Sequence, residues 1–404
     1  MKTRISLGII VWLSGLSMLS FLATDMYLPA FASMQQQFST GTSQIGWTLS
    51  IFLLGMAIGQ LAYGPLSDRF GRIRMLCVGL FIFIIASLGC AYAPNIYLLM
   101  TSRLFQAIGA CAASVIWQAI IIDRYESPLS ERLFATIMPL VALSPALAPL
   151  AGAVLNHHLG WQSIFLVLMI IGLVLVAFSL RQTDKRPEIP AQDKLSGWKQ
   201  MKLDYRQILS SAQFNGNTLI FAACAATFFA WLTGSPFIMT ELGYSASAIG
   251  LSYLPQTIAF VAGGYACRAL LTKIPGHKLV PWFLGLFVLG VLLMTGIACF
   301  YRPTTIWPLL LPFCLIAVAN SALYPIVINQ ALGEFKNCAA TASGLLNFLQ
   351  TMLSFLMSAL VSWLASDGMQ AVTLVMLSQA FLVLLGYAVS RYRARPQLQT
   401  ASSL

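Results

Sequence analysis

Charged residues are scarce in this 404-residue chain: Asp, Glu, Lys and Arg make up 9% of it, against roughly 25% in an ordinary soluble domain. That shortage excludes a water-soluble globule, which needs far more polar surface to cover itself. Acidic residues are the rarer sign, 12 against 23 Lys and Arg, so few carboxylate clusters can form. The three histidines, His157, His158 and His277, are read as loop residues, and the adjacent pair has poor spacing for a helical metal site. The eight cysteines form no CxxC pair and lie almost all in apolar blocks, as small buried hydrophobes do. No metal and no cofactor are expected.

What the chain has instead is long apolar runs, with 58% of its residues hydrophobic. Runs of about twenty residues match a hydrocarbon core of roughly 30 Å at 1.5 Å per helical residue. They must be helical, because lipid offers no partner to unpaired backbone groups. Twelve blocks are read, approximately 7–31, 44–63, 75–93, 97–122, 134–156, 162–180, 214–238, 247–267, 280–300, 304–330, 338–366 and 369–390. The first lacks the small-residue cleavage site of a secretory signal and is read as retained. An even count puts both termini on one side.

The net charge of +11 could suggest a nucleic-acid partner, but its distribution argues against one. With a cytoplasmic N-terminus, every Lys and Arg except Arg302 and Arg103 falls in a cytoplasmic loop or tail. That asymmetry is the positive-inside rule, so the basic excess sets topology. The bilayer is the expected partner, with both termini cytoplasmic and no nucleic acid.

The longest polar stretch, from Arg181 to Gln213, separates six blocks from six. Pro187 and Pro190 discourage one continuous helix there, although a short surface helix around 198–209 fits the pattern. The expected organisation is a six-helix bundle over 1–181, a cytoplasmic linker over 182–213, a second bundle over 214–391 and a tail over 392–404. Two similar bundles with a solute between them near the midplane is a transporter layout.

Three motifs carry chemistry. Gly64-Pro-Leu-Ser-Asp68-Arg69-Phe-Gly71-Arg72 places glycines for a tight turn beside a charged latch, with Asp123 at the end of the fourth helix as the natural partner of Arg72. A solvated basic turn would also satisfy the charge rule, but would not require Asp68 or the glycines. On the fourth helix, Arg103-Leu-Phe-Gln106-Ala-Ile-Gly109 puts an arginine inside the membrane, which costs several kcal/mol unless it is paired or hydrated. Pairing to backbone carbonyls is the bland alternative. On the first helix, Ala23-Thr-Asp25-Met-Tyr27-Leu-Pro-Ala30 holds the single acidic residue read as deep in a helix. Asp25 and Arg103 fall at matched depth and can share a cavity. Burial favours a neutral carboxyl and a nearby cation favours a charged one, which suits proton exchange.

These residues carry a resemblance. The Gly64–Arg72 loop and the Arg103–Gly109 stretch resemble signatures of the major facilitator superfamily, over the whole chain. Asp-x-Tyr-Leu-Pro-Ala resembles its Bcr/CflA subgroup of drug:proton antiporters. The run from Pro139 to Gly152 resembles that group's antiporter motif, with several glycines replaced by alanine, serine or proline. Segments 228–237, 250–257 and 319–325 look very like members of that subgroup that carry purine nucleosides. The resemblance implies a major facilitator fold, all-α, with 12 transmembrane helices in two bundles, in a bacterial inner membrane. It also implies a cytoplasmic gate made of Gly64, Asp68, Arg69, Gly71, Arg72 and Asp123.

The expected function is proton-coupled transport of a small organic solute by a monomer, with Asp25 and Arg103 coupling the proton. Purine nucleosides are the expected substrate, and multidrug export is the alternative. Substrate contacts are expected from Tyr27, Gln106, Trp231, Gln256, Asn320, Tyr324, Asn347 and Gln350, since carboxamides bond base edges and aromatics stack on rings. Each polar member serves equally well as a contact between helices. A channel would need a charged pore ring or filter stretch, and neither is visible. An enzyme would need clustered catalytic groups, and Asp123, Glu126 and Glu131 have no nucleophile or metal pattern beside them.

Overall fold

Helices make up nearly all of the computed structural model, which describes residues 6–125, 129–182, 205–271, 273–301, 303–335, 339–364 and 368–392. They are α1 (Leu7–Asp25), α2 (Phe31–Phe38), α3 (Thr42–Phe70), α4 (Arg72–Ala91), α5 (Ile96–Arg124), α6 (Leu129–Leu159) and α7 (Gln162–Leu180). Then come a short α8 (205–210) and α9 (Ala212–Glu241), α10 (Ala246–Leu271), α11 (Gly276–Phe300), α12 (Trp307–Leu332), α13 (Ala339–Trp363) and α14 (Gly368–Tyr392). Ten spans among the described residues are long and apolar enough to cross a membrane, so this is a multi-pass membrane protein. Twelve were expected. Of the two helices outside that count, α10 carries Ser252, Tyr253, Pro255, Gln256 and Thr257 at its centre. In α6 many side chains lie outside the described residues.

The first apolar block is not one continuous helix. α1 stops at Asp25, a 3-10 turn covers Leu28–Ala30, and α2 carries on to Phe38. Pro29 explains the break, since it lacks an N–H and disfavours helical geometry in the residue before it. The charged loop also differs from expectation. α3 stays helical through Gly64 to Phe70, and the turn is confined to Gly71. Its φ of 105° is accessible to glycine and strained for other residues.

His157 and His158 lie in the last turn of α6, and His277 in the first turn of α11, rather than in loops. Basic side chains at a helix C-terminus interact favourably with its partial negative charge, which suits the first pair. The linker residues 183–204 and the tail beyond 392 lie outside the described residues. Of the surface helix expected around 198–209, the described residues begin at 205 and are helical as α8.

The helices gather into two compact units. The first holds α1–α7 together with Leu232–Thr257, the adjoining parts of α9 and α10. Within it α5 packs against α1, α3 and α4, and α4 packs against α7. The second unit holds α8, the remainder of α9 and α10, and α11–α14, with α11 packed against α12 and α14.

Candidate functional site

The break after α1 has a built support. Gly152 of α6 lies against the carbonyl of Met26, and an added Cβ there would collide with that backbone. The single glycine of the Pro139–Gly152 run therefore seats the chain directly after Asp25. Asp25 itself is 4% exposed.

Arg103 is fully buried in the same unit. Its Nη1 donates to the Ala23 carbonyl at 2.9 Å and to Gln106 Oε1 at 2.6 Å. Its guanidinium carbon lies 4.0 Å from the centre of the Tyr27 ring and 4.2 Å from that of Phe52. Phe165 is farther, at 5.8 Å. Hydrogen bonds to a charged group are worth about 1.5–3 kcal/mol each. An aromatic face adds roughly 0.5–2 kcal/mol. Together they are enough to offset the cost of a buried arginine, about 2.5–3.5 kcal/mol on insertion scales. Arg103 is thus held without a direct ion pair to Asp25, although the two interact electrostatically. The carbonyl pairing expected as the bland alternative is present.

Gln106 is engaged at both ends. Its Oε1 accepts from Arg103, and its Nε2 donates to Ser87 Oγ at 2.8 Å, which in turn donates to the Phe83 carbonyl. Tyr27 shares a 3.2 Å hydrogen bond with Thr48 Oγ1. Tyr253, on the α10 segment of this unit, interacts electrostatically with Asp25 and Tyr27. Gln256, one turn further, is 3% exposed, and neither its Oε1 nor its Nε2 has a partner. Asp25, Tyr27, Arg103 and Gln106 are therefore brought together, with Tyr253 beside them. Ser87, Thr48 and Phe52 belong to the same network and carry no motif that would reveal them.

The other expected contacts lie in the second unit. Asn320 donates Nδ2 to the Cys224 carbonyl at 3.2 Å and leaves Oδ1 unpartnered. Trp231 stacks on Phe313 at 5.0 Å, and Tyr324 meets Phe221 edge-on at 5.0 Å. The Gln350 amide is used within α13, on Ser354 and Thr351. Asn347 is half-buried.

In the latch, Arg72 Nε donates to Asp123 Oδ2 at 3.0 Å and Nη1 donates to Ser67 Oγ at 2.7 Å. The side chains of Asp68 and Arg69 lie outside the described residues. Gly64 has open space around it, so packing sets no demand for glycine there.

Residues 13–359 match the Major Facilitator Superfamily. The chain belongs to that family. It is 28% identical over 389 residues to the chloramphenicol resistance protein of Pseudomonas aeruginosa, covering 95% of this chain and 91% of that one. It is 25% identical to multidrug resistance protein D of Escherichia coli (strain K12), covering 95% and 96%. Among solved structures, a D-xylose-proton symporter superposes with a TM-score of 0.71 at 15% identity, covering 95% of this chain and 97% of that one, which shows the fold. Family membership makes the protein a transporter of small molecules rather than an enzyme. The expected purine nucleoside substrate finds no support in these relatives, whose names concern antibiotics and drugs.

Proposed function

We propose that this chain is a proton-coupled antiporter of the Bcr/CflA type, which exports small drug-like solutes across a bacterial inner membrane. The observation that carries this is the buried Asp25 at the α1 break, beside an Arg103 that is already held by carbonyl, amide and aromatic partners. Asp25 is consequently not needed as a permanent counter-ion and is free to take up and release a proton. The resistance names of the relatives support export and favour it over nucleoside uptake.

In this reading twelve helices cross the membrane as two bundles, 1–181 and 214–391, joined by the linker and with both termini cytoplasmic. The protein works as a monomer. Arg72 and Asp123, with Asp68 and Arg69, form a cytoplasmic gate between alternating states. Tyr27 and Gln106 shape the proton site, and Gln256 of the same unit contacts the solute.

The test is proteoliposomes loaded with chloramphenicol and given a pH gradient. Export that follows the gradient and is unaffected by excess inosine is the expected result. Export indifferent to the gradient, or saturable uptake of labelled inosine, would refute the proposal.

A further inference from the structure

We infer that the buried site of the first unit selects uncharged or anionic solutes rich in hydrogen-bond acceptors, and discriminates against lipophilic cations. The inference rests on the export reading above and names the substrate class that the site would take.

Seven buried polar atoms among the described residues of this unit lack a hydrogen-bond partner, and five of them belong to three residues: Nε and Nη2 of Arg103, the hydroxyl of Tyr253, whose near neighbour is Ser235, and Nε2 and Oε1 of Gln256. Buried polar groups in folded proteins are almost always hydrogen-bonded, so a set left open in one region marks a place for a ligand or water. The set is coherent. Tyr253 lies within electrostatic reach of Asp25 and Tyr27, and Tyr27 carries the Arg103 guanidinium on its ring. Gln256 is three residues beyond Tyr253 on α10, hence on the same helical face, and both are buried.

The chemistry of these atoms is one-sided. Arg103 offers only donors, the Gln256 amide nitrogen offers two more, and Tyr253 can donate its hydroxyl proton. Among these atoms the acceptors are the Gln256 carbonyl and the phenolic oxygen, and the Asp25 carboxylate adds to them while it is ionised. A solute with nitro, carbonyl or hydroxyl oxygens meets these donors.

Charge points the same way. Besides Arg103, the titratable groups around this site are Asp25, Tyr27, Tyr253 and Cys90. With Asp25 ionised the site is neutral overall, and with Asp25 protonated it carries the charge of Arg103 alone. A cation meets no net attraction in the first state and repulsion in the second, and repulsion is strong where water is excluded. A lipophilic cation without hydrogen-bonding atoms would also leave all five groups unmet.

The test is equilibrium binding to the purified full chain in detergent, with chloramphenicol as the uncharged acceptor-rich probe and tetraphenylphosphonium as the cation. The wild type should bind chloramphenicol at least about tenfold more tightly. Tyr253→Phe and Gln256→Leu should each weaken chloramphenicol by about fivefold or more. Gln256→Leu is near-isosteric and removes an unsatisfied amide, so its melting temperature should hold or rise. A fall in melting temperature with unchanged affinity would mean the amide is structural and would overturn the inference. So would tetraphenylphosphonium binding as tightly as chloramphenicol, or no binding of either. Binding in the expected pattern without gradient-driven export would support the site and count against antiport.

Discussion

Gly152 and Met26 approach so closely that no side chain fits between α6 and the chain following Asp25. Elsewhere in a helix, replacing glycine by alanine stabilises by about 1 kcal/mol through backbone entropy. Here the new methyl meets a carbonyl, which cannot swing aside as a flexible side chain would. Overpacking of this kind costs about 1–3 kcal/mol. Gly152→Ala should therefore lower the melting temperature in detergent and impair export, because the displaced segment carries Asp25 and Tyr27. Gly264→Ala, with open space around it, should melt at or above the wild-type temperature. Equal melting of Gly152→Ala and the wild type would show that α6 gives way without cost.

The role given to Asp25 has a sharper readout. Asp25→Asn keeps the shape and removes the exchangeable proton, so gradient-driven export should vanish while solute counterflow without a gradient persists. Because Arg103 keeps its carbonyl, amide and ring contacts, the Asn variant should fold normally. An Asn variant that still concentrates solute on a pH gradient would place the proton elsewhere.

How much of this was readable beforehand varies by residue. Asp25 and Arg103 stand out because charge is so rare in the apolar blocks, and rarity needs no structure to notice. Arg72 and Asp123 meet as the loop motif implies. The first block reads as one run over 7–31 although Pro29 accompanies a break after Asp25, because hydropathy does not sense backbone direction. Likewise Gly64 suggested a turn that the chain makes only at Gly71, where the backbone leaves helical space. Ser87, Thr48 and Phe52 come from α3 and α4 with no periodic or charged signal. Their contribution arises from packing against α5, which no local pattern encodes. Gln106 is expected as a substrate contact from its carboxamide and its helical spacing with Arg103, and its amide meets Arg103 and Ser87.

Phe52 tests the account of Arg103 itself. If the ring face helps to hold the guanidinium, Phe52→Leu should weaken the protein by about 0.5–2 kcal/mol beyond its packing loss, and Phe52→Tyr should be tolerated. A double-mutant cycle with Arg103→Gln separates the two contributions, since the coupling term should disappear once the charge is gone. Additive effects would show that Phe52 contributes packing alone.

The Arg72–Asp123 pair allows stability and gating to be separated. Its side chains are 24% and 36% exposed, and partly exposed ion pairs are typically worth less than about 1 kcal/mol. Arg72→Ala should thus shift the melting temperature little. If the pair biases the population of alternating states, the same change should slow turnover while leaving solute affinity nearly intact, because the pair does not touch the solute. Reversing the charges, Arg72→Asp with Asp123→Arg, should restore part of the turnover lost in either single variant. Turnover that follows melting temperature across the series, with no rescue in the reversed pair, would reduce the contact to a surface ion pair with no part in gating.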